Sequence, residues 1–152
     1  MGASPSDREP NSVAAEVLIR ERVQRWASAI SAKDLESVMS LYSPEIVSFD
    51  LDPPLRYTGA RHKRRAWEQF LSAFQRVSYE VQELSITAAA DTAFVHSLNH
   101  VQGRLANGQL NDLWVRWTAC FRRTNADWLI THDHASVPAD VAHGRAVLDL
   151  QP

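Results

Sequence analysis

Cysteine is nearly absent from this chain, which has one, Cys120, in 152 residues. A lone thiol excludes an internal disulfide and a multi-cysteine zinc site, and it suits a reducing compartment, so the cytoplasm is the expected location. A basic excess is missing too. Sixteen Lys and Arg against eighteen Asp and Glu leave a formal net charge of -2, with a pI near 6.3. That balance offers no overall attraction to nucleic acid or to an anionic membrane, both of which draw on a basic field. No apolar run approaches the ~20 residues that span a bilayer. The first twelve residues, rich in Ser, Pro and charge, lack the apolar core of a secretory signal. Neither nucleic acid nor membrane is therefore an expected partner.

What is present is enough apolar residue, 45% of the chain, for one compact domain with a true core. Residues 1–12 are expected to be a disordered tail, 13–138 the domain and 139–152 a C-terminal tail. In the segment 13–31, Ile19, Val23, Trp26 and Ile30 recur at helical spacing opposite Glu16, Arg20, Glu21 and Arg25. A shorter helix follows, with Asp34 as its N-cap and Leu35, Val38, Met39 and Tyr42 as its stripe; Ser43-Pro44 is expected to end it. Residues 45–52 read as a strand with Ile46, Ser48, Asp50 and Asp52 on one face, broken by Pro53-Pro54. Gly59 opens a third helix carrying Trp67, Phe70, Leu71 and Phe74. Its first turns hold Arg61, His62, Lys63, Arg64 and Arg65, which oppose the helix dipole and call for an acidic partner nearby or a solvated basic face.

After Val77 the period changes to two. Strands are expected at 78–88, 92–105, 110–124 and 127–137, and Asn107-Gly108 predicts a tight type I′ hairpin with positive φ at both residues. Helices first and a long antiparallel meander last make the class α+β, with helices on one face of a curved sheet. On the last strand, strict alternation puts Trp128, Ile130, His132, His134 and Ser136 on one side, and Leu129, Thr131, Asp133, Ala135 and Val137 on the other.

Asp50, on a half-apolar strand beside an expected concavity, is the candidate general base, its pKa expected to rise through burial. Asp52 reads as a rim or turn residue. His132 and His134 share a face, as do His96 and His100. These imidazoles suit hydrogen bonds to polar pocket groups or to a neighbouring subunit. Trp67 and Trp128 read as core, while Trp26, Trp114 and Trp117 suit a cavity lining or a subunit contact. Trp114 and Trp117 must point to opposite faces. If Trp114 lies outside beside Arg116 and Thr118, that face favours dimerisation.

The order helix, helix, strand, helix, meander resembles the nuclear transport factor 2-like superfamily, and within it the SnoaL-like and ketosteroid isomerase-like domains. The residues that carry the resemblance are Leu41-Tyr42-Ser43-Pro44-Glu45-Ile46-Val47-Ser48-Phe49-Asp50 and Trp128-Leu129-Ile130-Thr131-His132-Asp133-His134-Ala135-Ser136-Val137-Pro138. It implies a cone-shaped fold, three N-terminal helices on a curved, mostly antiparallel sheet. It also implies a catalytic base at Asp50, with Tyr42 and Trp26 at the family's pocket spacing. Where ketosteroid isomerases have a phenol, this chain has Trp26. Their protonated aspartate falls near Trp117, with no carboxylic acid within a residue either side. The last strand is also similar to the calcium/calmodulin-dependent kinase II association domain, an oligomerisation hub whose arginine-lined pocket would correspond here to Arg116. The resemblance carries no metal and no cofactor.

These observations lead to two expectations. One is a homodimeric pocket protein that binds a small, largely apolar, oxygenated molecule and runs isomerase-, cyclase- or dehydratase-like proton transfer through Asp50. Trp26 or a strand histidine would then be the hydrogen-bond donor. The other is a non-catalytic association or ligand-sensing module that oligomerises through its sheet.

Overall fold

The computed structural model of the chain describes residues 10–125 and 127–152. The first nine residues of the expected tail lie outside the described residues. Helix α1, Pro10–Ser31, starts three residues before the expected boundary and buries Ile19, Val23, Trp26 and Ile30. Helix α2 is only Leu35–Met39, capped at Asp34, whose carboxylate accepts from the Ser37 N–H at 3.2 Å and the Ser37 hydroxyl at 2.6 Å.

The expected run of α2 to Tyr42 is cut short by the sheet. The Leu41 carbonyl accepts from the Ile130 N–H at 2.8 Å, and Tyr42 already pairs with Ile130. Strand β1 is therefore Tyr42–Phe49 and takes in Ser43-Pro44, the pair expected to precede it. The proline, which has no N–H to give, falls where the β1 ladder shifts register between Tyr42 and Val47.

Strand β2, Tyr57–Thr58, pairs antiparallel with β1. Helix α3, Ala60–Ala73, opens at Gly59, whose φ of 85° is glycine territory and whose N–H reaches the Ile46 carbonyl at 2.7 Å. The meander follows as β3, Phe74–Ala89; β4, Thr92–Leu105; β5, Leu110–Thr124; and β6, Asp127–Ser136. The hairpin at Asn107-Gly108 is not type I′, because Gly108 has positive φ and Asn107 does not. The Gly108 N–H bonds the Leu105 carbonyl at 2.9 Å and the Leu105 N–H bonds the Gln109 carbonyl at 2.8 Å, making a longer loop in which one glycine supplies the left-handed residue.

The six-stranded sheet runs β2-β1-β6-β5-β4-β3, parallel only between β1 and β6. It curves around the helices without closing. Its inner face buries Ile86, Val95, Ala119, Phe121, Trp128 and Ile130 against α1, and α3 adds Trp67 and Leu71. Side chains of this size contribute about 1.5–3 kcal/mol each when fully buried. Within the expected C-terminal tail, strands β7, Ala139–Asp140, and β8, Arg145–Ala146, form a small separate hairpin, while Val141, Leu148 and Leu150 stay exposed. Among the described residues no helix is long and apolar enough to cross a membrane.

Strand β6 departs from simple alternation. Ile130 pairs with Phe121 and His132 with Cys120, so Thr131 is an extra residue, its hydroxyl donating to the Cys120 carbonyl at 3.3 Å. A bulge of this kind reverses the facing of everything beyond it. Trp128 and Ile130 point inward as expected, but beyond the bulge the inward residue is Asp133, and His134 is exposed. The expected common face of Trp128, Ile130, His132 and His134 is thus split.

Candidate functional site

The inward turn of Asp133 creates the densest polar cluster in the core. Lys63 and Asp133 are each 3% exposed, an expensive burial for charged groups unless they are paired. The Lys63 ammonium lies 2.8 Å from Asp50 Oδ2, 2.8 Å from Ser48 Oγ and 3.3 Å from Asp133 Oδ2, so its three hydrogens face three oxygens. It also stands over the Tyr42 ring at 5.5 Å and the Trp67 ring at 5.7 Å. Here is the acidic partner that the basic start of α3 requires, and it is internal. Two neighbours find partners outside the cluster: Arg64 pairs with Glu36 and Glu68, and His62 Nδ1 contacts the Thr58 carbonyl at 2.7 Å.

Asp50 sits at the rim of this cluster, its side chain 29% exposed. Burial alone would push its pKa up. Attraction to Lys63, the Lys63 hydrogen bond and the Leu51 N–H together outweigh that and hold it below the usual carboxylate range. The expected rise is therefore reversed by a lysine. Lys63 is treated likewise: burial disfavours its charge, but Asp133 and Asp50 raise its pKa above the ordinary lysine value. Tyr42 donates toward Asp133 Oδ2 at 3.5 Å and accepts from the Trp67 indole at 3.1 Å, and burial first, then Asp133, pushes its phenol well up. Asp133 Oδ1 is left buried with no hydrogen-bond partner among the described residues, as is Trp26 Nε1. Trp26 stacks on Trp117 with centroids 4.8 Å apart, and both are part of the same core.

The expected site residues divide between the two faces of the sheet. Asp50, Tyr42, Trp26 and Trp117 lie inside. The other four belong to the outer face. His100 stacks on Trp114 at 4.2 Å and contacts Asp112 at 2.7 Å. Arg116 is exposed and donates to Ser136 Oγ at 3.1 Å and to the Val137 carbonyl at 3.0 Å. His132 contacts the Val47 carbonyl at 2.8 Å, and both His132 and His134 pack edgewise on Phe49. Among the described residues no three His, Cys, Asp or Glu side chains stand close enough together to hold a metal ion. Two grooves lie along α1. One of about 450 Å³ runs between α1 and α2 past Arg22, Arg25 and Ser37, away from the charged cluster.

Two residues of the cluster escape a reading of the sequence, Asp133 and Lys63, and each leaves a trace there. Apolar positions on β6 are even at Trp128 and Ile130 but odd at Ala135 and Val137, the mark of one extra residue between them. Lys63 stands four residues before Trp67 and eight before Leu71, on the buried stripe of α3.

Residues 19–140 match the SnoaL-like domain. The chain belongs to the SnoaL-like domain family. This SnoaL-like protein is similar to a nuclear transport factor 2-like protein of unknown function from Pseudomonas putida KT2440, at 30% identity and a TM-score of 0.85, over 93% of this chain and 99% of that one. A protein of the same fold from Streptomyces avermitilis, provisionally named a dehydratase, gives 18% identity and a TM-score of 0.74 over 85% and 99% of the two chains. Another from Xanthomonas campestris, provisionally named a calcium/calmodulin-dependent protein kinase II association domain, gives 21% and 0.69 over 91% and 94%. No curated protein matches the chain. The last two likenesses establish the fold, which agrees with the α+β cone expected from the order of elements.

Proposed function

We propose that this SnoaL-like protein is a homodimeric small-molecule pocket protein that takes a largely apolar, oxygenated ligand at the inner end of the Lys63 cluster. In this reading it carries out proton transfer of the isomerase, cyclase or dehydratase kind. The observation that supports it is Asp133 Oδ1, a buried carboxylate oxygen without a partner among the described residues, beside an ammonium that already serves two carboxylates. An unpaired oxygen in such a place costs stability and presents free lone pairs to whatever enters. Asp133 takes a proton from a ligand carbon or hydroxyl. Asp50, tied to the same ammonium and open at the rim, exchanges it with solvent. Lys63 holds both side chains in place through its contacts with Asp50 and Asp133. A carboxylate is a weak base toward carbon, so the ligand must bring an activated proton, such as one next to a carbonyl.

Native mass spectrometry of freshly purified protein tests this. A dimer carrying a neutral organic molecule, released by Asp133→Asn and slowed in turnover by Asp50→Asn, supports the reading. A larger, empty ring would sink it. The ring is the outcome expected of a second reading, assembly without catalysis through the outer face. Exposed Phe49 and Phe94, and the His100–Trp114 stack on that face, favour that alternative.

A further inference from the structure

The groove between α1 and α2, of about 450 Å³, has the volume of a small-molecule site and shares no lining residue with the Lys63 cluster. Its two walls are tied at both ends. At one end Arg22 donates to the Ser40 carbonyl at 3.0 Å, and at the other the Asp34 N–H donates to the Ala29 carbonyl at 2.9 Å. Between these ties stand Arg25 on α1 and Ser37 on α2. Most charges around the groove are already engaged: Arg22 pairs with Asp127, Lys33 donates to the Phe74 carbonyl at 2.6 Å and Glu36 is held by Arg64. Arg25 is not. It is exposed, makes no ion pair among the described residues, and donates only a long 3.5 Å bond to the Glu21 carbonyl of its own helix. Asp34 lines the same groove with two of about four lone-pair sites filled, one by the Ser37 N–H at 3.2 Å and one by the Ser37 hydroxyl at 2.6 Å. That hydroxyl first, then the N–H, holds its carboxyl below the usual range, so it is charged at neutral pH. Arg25 stands one turn, a rise of about 6 Å, before Ala29, to which Asp34 is tied. Two opposite charges thus share one groove without pairing with each other.

We infer that this groove is a second binding site, for a zwitterion: an α-amino acid with an apolar side chain, whose carboxylate meets Arg25 and whose ammonium meets Asp34. A plain anion would gain Arg25 but face Asp34, and a plain cation the reverse. Only a ligand carrying both charges close together is favoured at each pole. Arg25 offers the planar fork that a carboxylate takes. Trp26 and Leu41, both almost fully buried, form an apolar floor for the side chain. Both charges face solvent, where a single pair is worth little, so each pole contributes a modest factor. The site is independent of the pocket reading above, and its failure leaves that reading standing.

The test follows ¹H–¹⁵N spectra of the full-length protein while three compounds are added: L-phenylalanine, 3-phenylpropionate, which lacks the ammonium, and 2-phenylethylamine, which lacks the carboxylate. L-Phenylalanine should move the Ser37 and Ala29 amides and bind about 3- to 5-fold more tightly than either analogue. To Arg25→Gln it should bind no better than 2-phenylethylamine. To Asp34→Ser, which keeps a good N-cap, it should bind no better than 3-phenylpropionate. Circular dichroism establishes that both variants fold. Equal binding of the three compounds by wild type, or variants that leave their order unchanged, overturns the inference. L-Phenylalanine that moves the Trp67 and Trp117 indoles but not Ser37 does the same, because it then sits inside the cone. So does a wild-type protein that takes up none of the three.

Discussion

Asp133 and His134 are adjacent in sequence and opposite in circumstance. Asp133 points into the core, is almost fully buried and faces a lysine; His134 points out, is exposed and leans on Phe49. The whole sheet repeats that contrast. Its inner face holds few charges, each placed against a partner at high cost, whereas its outer face carries imidazoles, Arg116 and aromatic rings that water can still reach. Energy concentrates where water is absent, so side chains of similar polarity should respond very differently to substitution on the two faces.

The sharpest way to break the contrast is Lys63→Met, which leaves buried Asp133 and half-buried Asp50 without a cation. It should cost about 3–5 kcal/mol at pH 7 by urea unfolding, and the deficit should shrink in acid, where wild type too loses the pairing of Lys63 with Asp50. Deleting Thr131 removes the bulge and forces either Asp133 out or Ile130 and Trp128 out. A loss of at least about 2 kcal/mol, with the Lys63 cluster dispersed, is expected. A deletion variant as stable as wild type would show that the bulge does not set the facing.

Asp50 sharpens the comparison through pH. Its folded pKa is depressed, so its contribution is present above the unfolded carboxylate value and is lost as pH falls through the lower folded value. Asp50→Asn should therefore cost about 1 kcal/mol at pH 7 and nothing in strong acid, giving a shallower acid limb than wild type. Lys63, raised in the fold, contributes below the unfolded lysine value and loses that contribution at alkaline pH above it. The smallest effect belongs outside. His134→Ala should stay within about 0.5 kcal/mol of wild type, as exposed residues without a network do.

Much of this is legible in the residues. The change from helical to alternating period at Val77 locates the meander, because the period follows from which side chains must reach the core. Parity puts Asp50 on one face with Ser48 and parts Trp114 from Trp117, since no register shift falls between Val47 and Phe49 or along the pairing of β5 with β4. It fails on β6, where a single extra residue moves Asp133 inward and the histidines outward. The pairing of Lys63 with Asp50 and Asp133 is not legible at all. It depends on how α3 lies across β1 and β6, and three charges 13 and 70 residues apart carry no mark of their meeting.

The most direct measurement is a ¹H–¹⁵N spectrum of the five tryptophan indoles while a panel of hydroxylated and carbonyl aromatics is added. Trp26, Trp67 and Trp117 report the inner face and Trp114 the outer one. Binding compounds are predicted to move the indole signals of Trp26, Trp67 and Trp117 and to leave Trp114 in place. Shifts confined to Trp114, or none with any compound, would contradict the assignment of function to the inside of the cone.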